Sequence, residues 1–318
     1  MTTTNRTRTE RGKTDSTTQR DDVTTGYAEV HGARLYYEIA GIGEPLIFLH
    51  AGIADHRMWE TQFYAFAETH QVMCYDMRGY GSSTLGEGNF SHAQDLYRLL
   101  RSLDIPAATL IGSSLGGTTA MDFALEQPAM ANALVLVGAV PSGYDFAGEA
   151  PPILQEFVAA CQKPDLPQAA ELATQLWFDG PQRQPEALDP DLRSQVRAMV
   201  QEVLSSGAVN FRGANAAAQP ALARLSEIVA PTLVIVGAQD DESILQAGDL
   251  IVDRIAGADR VEIDGAAHLP NLEKPVEFYQ AVFDFLQRIA DIDREGSLAT
   301  GLGGAVKRKE IAPEPLDR

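Results

Sequence analysis

The chain has 318 residues, 45% of them hydrophobic, enough for a substantial core and for one large α/β domain carrying an insertion. Its formal net charge of −19 repels nucleic acid and anionic membrane, so neither is an expected partner. The two cysteines, Cys74 and Cys161, fall in a strand-like and a helix-like run, and they read as packing residues in a reducing, cytoplasmic compartment, not as a disulfide or metal site.

No apolar run is long enough to span a bilayer, and the polar, Thr/Arg-rich residues 1–25 lack the apolar segment of a secretory signal, so they read as a disordered tail. Tyr27 to Ile39 predicts two short strands turned at His31-Gly32, with Leu35, Tyr37 and Ile39 on one face. Leu46 to Leu49 is fully apolar, as a central parallel strand is, and runs into the small-residue turn His50-Ala51-Gly52-Ile53. Such a turn puts backbone N–H groups at the edge of the sheet where ligands bind in open α/β folds. A helix follows at Arg57 to Glu68, then a strand at Val72 to Tyr75 and a polar, Gly-rich loop from Asp76 to Ser83. The helix from Ala93 to Leu103 opens with Ser91 and Gln94 at the spacing of a capping box.

The stretch Thr109 to Thr118 carries the strongest signal. A buried strand, Ala108 to Ile111, passes through Gly112-Ser113-Ser114-Leu115-Gly116 into a helix that ends before Pro128. The spacing G-x-S-x-G is that of a nucleophile elbow, where a serine stands on a strained turn and its neighbours must be small because strand and helix nearly touch. Centred on Ser114, both two-residue offsets are glycine; centred on Ser113 they are Ile111 and Leu115, which would not fit. Ser114 is therefore the candidate nucleophile.

After a strand at Ala133 to Val137 the pattern changes. From Pro141 to Arg224 the chain shows Ala/Gln/Glu-rich helical segments broken by prolines, with Tyr144, Phe146, Phe157, Trp177, Phe178 and Phe211 as core or pocket aromatics. The sheet resumes at Thr232 to Val236, followed by a helix (Ile244 to Ile255), a strand (Arg260 to Ile263) and a last helix (Val276 to Ile289). The expected organisation is an α/β core over 26–141 and 226–292, a helical cap inserted over 142–225, and flexible tails at 1–25 and 293–318. Two further strand-end loops then carry chemistry: Gly237-Ala238-Gln239-Asp240, with Asp241 as the alternative carboxylate, and Gly265-Ala266-Ala267-His268. Nothing stands out as a metal cluster or a phosphate-binding loop, so no cofactor is expected.

These blocks, with Asp76-x-Arg78-Gly79-x-Gly81-x-Ser83 and Glu273-Lys274-Pro275, resemble the α/β-hydrolase superfamily in its serine branch, over Tyr27 to Ala290. One position departs: Ala51 stands where the family more often has glycine. The resemblance implies a mostly parallel sheet flanked by helices and a triad in the chain order Ser114, Asp240, His268. It also implies an oxyanion hole from the backbone N–H groups of Leu115 and Gly52, with Ile53 as the alternative to Gly52. His50 is expected to anchor its loop, Asp76 and Arg78 to brace each other and nearby loops, and His56, His70 and His92 to face solvent or cap helices.

The function expected first is cofactor-independent hydrolysis of a small, fairly apolar carboxylic ester or lactone. Hydrolysis of a C–C bond in a ring-cleavage product, or perhydrolysis of the haloperoxidase type, would use the same triad. Epoxide hydrolysis and dehalogenation are disfavoured, because in this superfamily they need a carboxylate at the elbow. A reading from another class is a small-molecule receptor on the hydrolase fold. The partner is a small-molecule substrate in the first readings, and the oligomeric state is left open.

Overall fold

Apolar runs that alternate with amphipathic helices can hide both faces of their strands only by stacking into a central sheet. The computed structural model describes residues 22–146, 151–162, 166–206 and 219–299. It shows an eight-stranded sheet in the order β1-β2-β4-β3-β5-β6-β7-β8. The strands are β1 (Thr24–Val30), β2 (Ala33–Ala40), β3 (Pro45–Leu49), β4 (Gln71–Tyr75), β5 (Ala108–Ser113), β6 (Ala131–Val137), β7 (Thr232–Gly237) and β8 (Asp259–Ile263). The hairpin β1–β2 is antiparallel and joins β4 antiparallel; every other pairing is parallel.

Successive residues of the central strands feed opposite layers, as a period of two requires. Phe48, Ile111, Val135 and Ile235 pack on one side with Trp59, Phe63, Phe66, Phe278 and Phe285. Leu49, Leu110, Leu134 and Val234 pack on the other with Leu96, Leu99, Phe123 and Ile251. The helices supplying those layers are α1 (Glu60–Ala67), α2 (His92–Ser102), α3 (Leu115–Glu126), α7 (Glu242–Arg254) and α9 (Pro275–Ala299), with the single turn α8 (Pro270–Glu273) before the last.

Between β6 and β7 the longer elements among the described residues are helices: α4 (Pro152–Cys161), α5 (Leu166–Thr174) running into a π-helical turn (Gln175–Asp179), and α6 (Pro190–Ser206). We refer to these helices as the cap. Phe157 and Phe178 are buried in it, Tyr144 and Phe146 meet edge to face at its margin with Phe146 exposed, and Phe211 lies outside the described residues.

Three local expectations change. The first strand begins at Thr24, inside the stretch read as tail, and residues 1–21 lie outside the described residues. The last helix continues to Ala299, past the point where the glycines of the C-terminal stretch suggested loose chain. The capping box is half made: Ser91 accepts the Gln94 N–H, but the Gln94 side chain turns to Glu126 instead of returning to the Ser91 backbone.

Candidate active site

Strand β5 turns into α3 at a single residue. Ser114 holds φ 50° and ψ −113°, a strained conformation for a residue with a side chain. The strain is sterically imposed: a Cβ on Gly112 would reach 2.4 Å from the Gly116 carbonyl carbon, and one on Gly116 would reach 2.2 Å from the Leu49 oxygen. Larger residues would part the helix from the sheet. The two serines are sorted by the same turn. Ser113 Oγ is buried without a hydrogen-bond partner among the described residues, whereas Ser114 borders a cavity of about 540 Å³.

His268 borders that cavity too. It follows β8, is 2% exposed, and its Nδ1 lies 2.8 Å from Asp240 Oδ2 in the loop after β7. The alternative carboxylate is otherwise occupied: Asp241 caps α7 by accepting the Ser243 N–H. Burial alone would push the His268 pKa down; the charge and hydrogen bond of Asp240, helped by Asp241, outweigh it, and the net shift is upward from 6.5. With Nδ1 turned to Asp240, the far side of the ring is left to the cavity. Among the described residues no hydrogen bond joins it to Ser114 Oγ, a contact that commonly tightens only around bound substrate.

The donors expected for an oxyanion sit at the same place. Gly52, Ile53 and Leu115 all line the cavity, and a Cβ on Gly52 would stand 3.5 Å from Leu115 Cβ. Leu115 opens α3, so its amide is among those a helix leaves unbonded. Ala51 is fully buried and its N–H points to Met58 Sδ at 3.2 Å, so its methyl group is absorbed by packing under the turn.

The rest of the lining is apolar and comes mostly from the cap: Leu154, Phe157, Val158 and Cys161 from α4, and Trp177 from the π-turn, with Gln162 at the rim. Phe157 and Trp177 meet edge to face at 5.1 Å. The positions 154, 157, 158 and 161 repeat at helical spacing, a signal present in the sequence that could have named the pocket wall.

The polar residues around the site are scaffold. His50 straps two loops, with Nδ1 2.8 Å from the Ala51 oxygen and Nε2 accepting the Met77 N–H at 2.9 Å. Asp76 and Arg78 do not brace each other. Asp76 accepts the N–H groups of His56 and Ser82, while Arg78 pairs with Asp95 and donates to the carbonyls of Val30, His31 and Leu85. His56 does not face solvent: it is wedged between Asp76 and Glu38, and those carboxylates overcome burial to raise its pKa to about 10. His92 opens α2 and is held neutral by burial, with its pKa lowered to about 4. Donor atoms of Asp55, His56 and Asp76 fall within 4.8 Å of one another, the spacing of a metal cradle. In the structure these atoms are engaged in ion pairs: His56 lies between Asp76 and Glu38, and Asp55 pairs with Arg57.

The family model of the alpha/beta hydrolase fold matches residues 44–275. The chain belongs to the α/β-hydrolase family. This hydrolase is 29% identical over 254 residues to 3-oxoadipate enol-lactonase 2 of Acinetobacter baylyi, covering 76% of this chain and 88% of that one. It superposes on a solved N-acyl homoserine lactone degrading enzyme with a TM-score of 0.67 at 27% identity, covering 82% of this chain and all of the other. A bromoperoxidase from Bacillus anthracis shares the fold, with a TM-score of 0.71 at 23% identity and 83% of this chain covered. Among the described residues no helix is long and apolar enough to cross a membrane.

Proposed function

We propose that this hydrolase cleaves a small, apolar carboxylic ester or lactone through an acyl-enzyme on Ser114. The observation that carries the reading is the shared cavity: the elbow serine and the aspartate-held imidazole open onto one space whose far wall is Leu154, Phe157, Val158 and Trp177. A serine hydroxyl is a weak nucleophile at neutral pH. His268 would take its proton as Oγ attacks the carbonyl carbon, while Asp240 holds Nδ1–H and stabilises the imidazolium. The oxyanion would be met by the N–H groups of Leu115 and Gly52, each such donor being worth about 3 kcal/mol. The proton then passes from His268 to the leaving alcohol oxygen. Water attacks the acyl-enzyme by the same route in reverse, returning the serine and releasing the acid.

The apolar wall favours this reading over a ring-cleavage dienoate, whose carboxylate would lose its hydration against leucine and tryptophan. The lactonase names among the relatives point the same way for the bond that is cut. The test is hydrolysis of p-nitrophenyl esters and simple lactones by wild type and Ser114→Ala. Turnover in the wild type that falls by up to about a million-fold in the variant supports the reading. Turnover that survives Ser114→Ala, or ligand binding without turnover in the wild type, overturns it, the latter in favour of a receptor.

A further inference from the structure

The cap meets the two loops that carry Asp240 and His268, and one side chain ties it to the second of them. Arg183 follows the π-turn. Its guanidinium donates to the carbonyl oxygens of Phe178 (2.6 Å) and Asp179 (2.6 Å) on the cap side. It also donates to Gly265 O (3.2 Å) and to Glu273 Oε2 (2.5 Å) on the core side. The other oxygen of Glu273 accepts the N–H of Ala267, the residue before His268, at 2.7 Å. A single chain of contacts therefore runs from the π-turn through Arg183 and Glu273 to the backbone that presents the imidazole.

A second contact reaches the carboxylate loop. Gly180 closes the π-turn at φ +78°, and a Cβ there would stand 2.6 Å from the Gln239 oxygen and 2.9 Å from Ala267 Cβ. The turn is thus seated against the residue before Asp240 and the residue before His268 at once. The same turn carries Trp177 into the cavity. Both partners of the ion pair are nearly out of solvent, at 11% and 6% side-chain exposure, and such a pair holds its geometry because leaving either charge unpaired there is costly. Burial lifts the Glu273 carboxyl above its ordinary pKa, and Arg183 with the Ala267 amide draws it back toward the charged form. Exposed links such as Arg57–Glu202, with 46% and 62% exposure, cannot hold the cap with comparable definition.

We propose that Arg183 and Glu273 are positioning residues for the hydrolytic reaction: a clamp by which the cap sets the place of the His268 loop relative to Ser114. The role rests on the serine-hydrolase reading above. It differs from simple support of the fold, because it acts on the alignment of base and nucleophile and so on kcat. Misplacing a reacting group by about 1 Å can cost a hundredfold in rate.

The experiment compares wild type, Arg183→Gln, Arg183→Lys, Glu273→Gln and the double variant Arg183→Gln/Glu273→Gln. Each is measured for kcat and KM on p-nitrophenyl butyrate, for the rate at which an alkyl fluorophosphonate labels Ser114, and for thermal melting. Arg183→Gln is expected to lower kcat and the labelling rate together, by about 10–100-fold, with KM changed by no more than about threefold. Arg183→Lys keeps the charge but not the fork that serves four oxygens, so it recovers part of the loss. Glu273→Gln keeps an acceptor for the Ala267 N–H and loses less than Arg183→Gln. The double variant should be no worse than Arg183→Gln alone, since both break one connection.

Folded Arg183→Gln with wild-type kcat and labelling rate would overturn the clamp and leave the hydrolase reading intact. So would a loss confined to melting temperature, with kcat per labelled serine unchanged. Should Arg183→Gln fail to fold, full kcat in both Arg183→Lys and Glu273→Gln overturns the clamp equally. Wild type that neither turns over nor takes the label sinks the serine-hydrolase reading, and the clamp with it.

Discussion

Gly138, directly after β6, lies beside the candidate base, and replacing it separates backbone strain from displacement of the imidazole. Its φ is +53°, and an added Cβ would stand 3.1 Å from His268 Nδ1 and 3.2 Å from Cε1. Gly138→Ala therefore has two costs. The left-handed backbone costs an alanine about 1–2 kcal/mol, a fall in melting temperature of about 2–8 °C for a domain of this order of size. The contact is also short by a few tenths of an ångström, and the atom it presses is the one held by Asp240. Scaling from about a hundredfold per ångström, kcat should fall about 3–10-fold with KM little changed. Gly257 supplies the control. It lies between α7 and β8 at φ +74°, with nothing within 4 Å of an added Cβ. Gly257→Ala carries the same strain and no contact, so it should lose similar stability and keep full kcat. Ester hydrolysis at saturating substrate, with melting curves on the same preparations, reads both quantities. Equal kcat in the two variants would refute the reasoning, and so would a Gly138→Ala protein that loses KM instead of kcat.

Three further outcomes follow from the same contacts. The base must be neutral, and Asp240 raises its pKa, so kcat/KM should climb with pH through a midpoint above 6.5; a flat profile from pH 5 to 9 would remove His268 from the role. His56, at about 10 when folded against 6.5 in an unfolded chain, stabilises the protein in its protonated form. That contribution is fully present below 6.5 and is lost as pH rises toward 10, with a slope of up to about 1.4 kcal/mol per pH unit; urea unfolding across that window should show it in wild type and not in His56→Gln. Each acyl methylene buried against α4 is worth about 0.8 kcal/mol, so kcat/KM should rise about fourfold per carbon from acetate to hexanoate, and Phe157→Ala or Trp177→Ala should flatten that rise; an unchanged slope would mean that the acyl chain goes elsewhere.

What could be read before folding follows from how local the causes are. The elbow was legible because its demand is local: glycine at 112 and 116 and a serine between them are required by one turn, whatever the rest of the chain does. The strands were legible because both faces of a central sheet are buried, which writes itself as continuous apolar runs. In the sequence loop spacing alone favours Asp240 over Asp241, because both follow β7 and only the fold shows which way each points. One caps α7 and the other reaches across 28 positions to His268. The partners of Arg78 and Asp76 were missed for the same reason. Neighbours in sequence with opposite charge suggest a pair, but the loop between them sends Arg78 toward α2 and Asp76 toward His56. Arg183 was invisible altogether, since its partners at 265 and 273 lie beyond α6 and two strands.

The described residues include two histidine–aspartate pairs at the same 2.8 Å separation, His268–Asp240 and His56–Asp76, and only one of them is proposed as a base. Distance to a carboxylate therefore does not decide the role; the far nitrogen does. In His56 it faces a second carboxylate, Glu38, at 3.5 Å, so both nitrogens favour a bound proton and the ring stays cationic far above neutrality. A ring in that state has no lone pair to offer a hydroxyl. In His268 one nitrogen is committed to Asp240 and the other side of the ring meets the cavity beside Ser114, where burial opposes the charge that Asp240 favours. Asp240 prevails and the pKa lies above its ordinary value, while the side of the ring turned to the cavity stays free to take a proton from a hydroxyl and return it. A carboxylate introduced into the cavity that His268 borders, as in Leu115→Asp, should favour the protonated ring, move the acid limb of kcat/KM upward and suppress turnover at pH 7. If that variant folds, binds substrate and keeps its limb where the wild type has it, the far nitrogen is not what separates the two pairs.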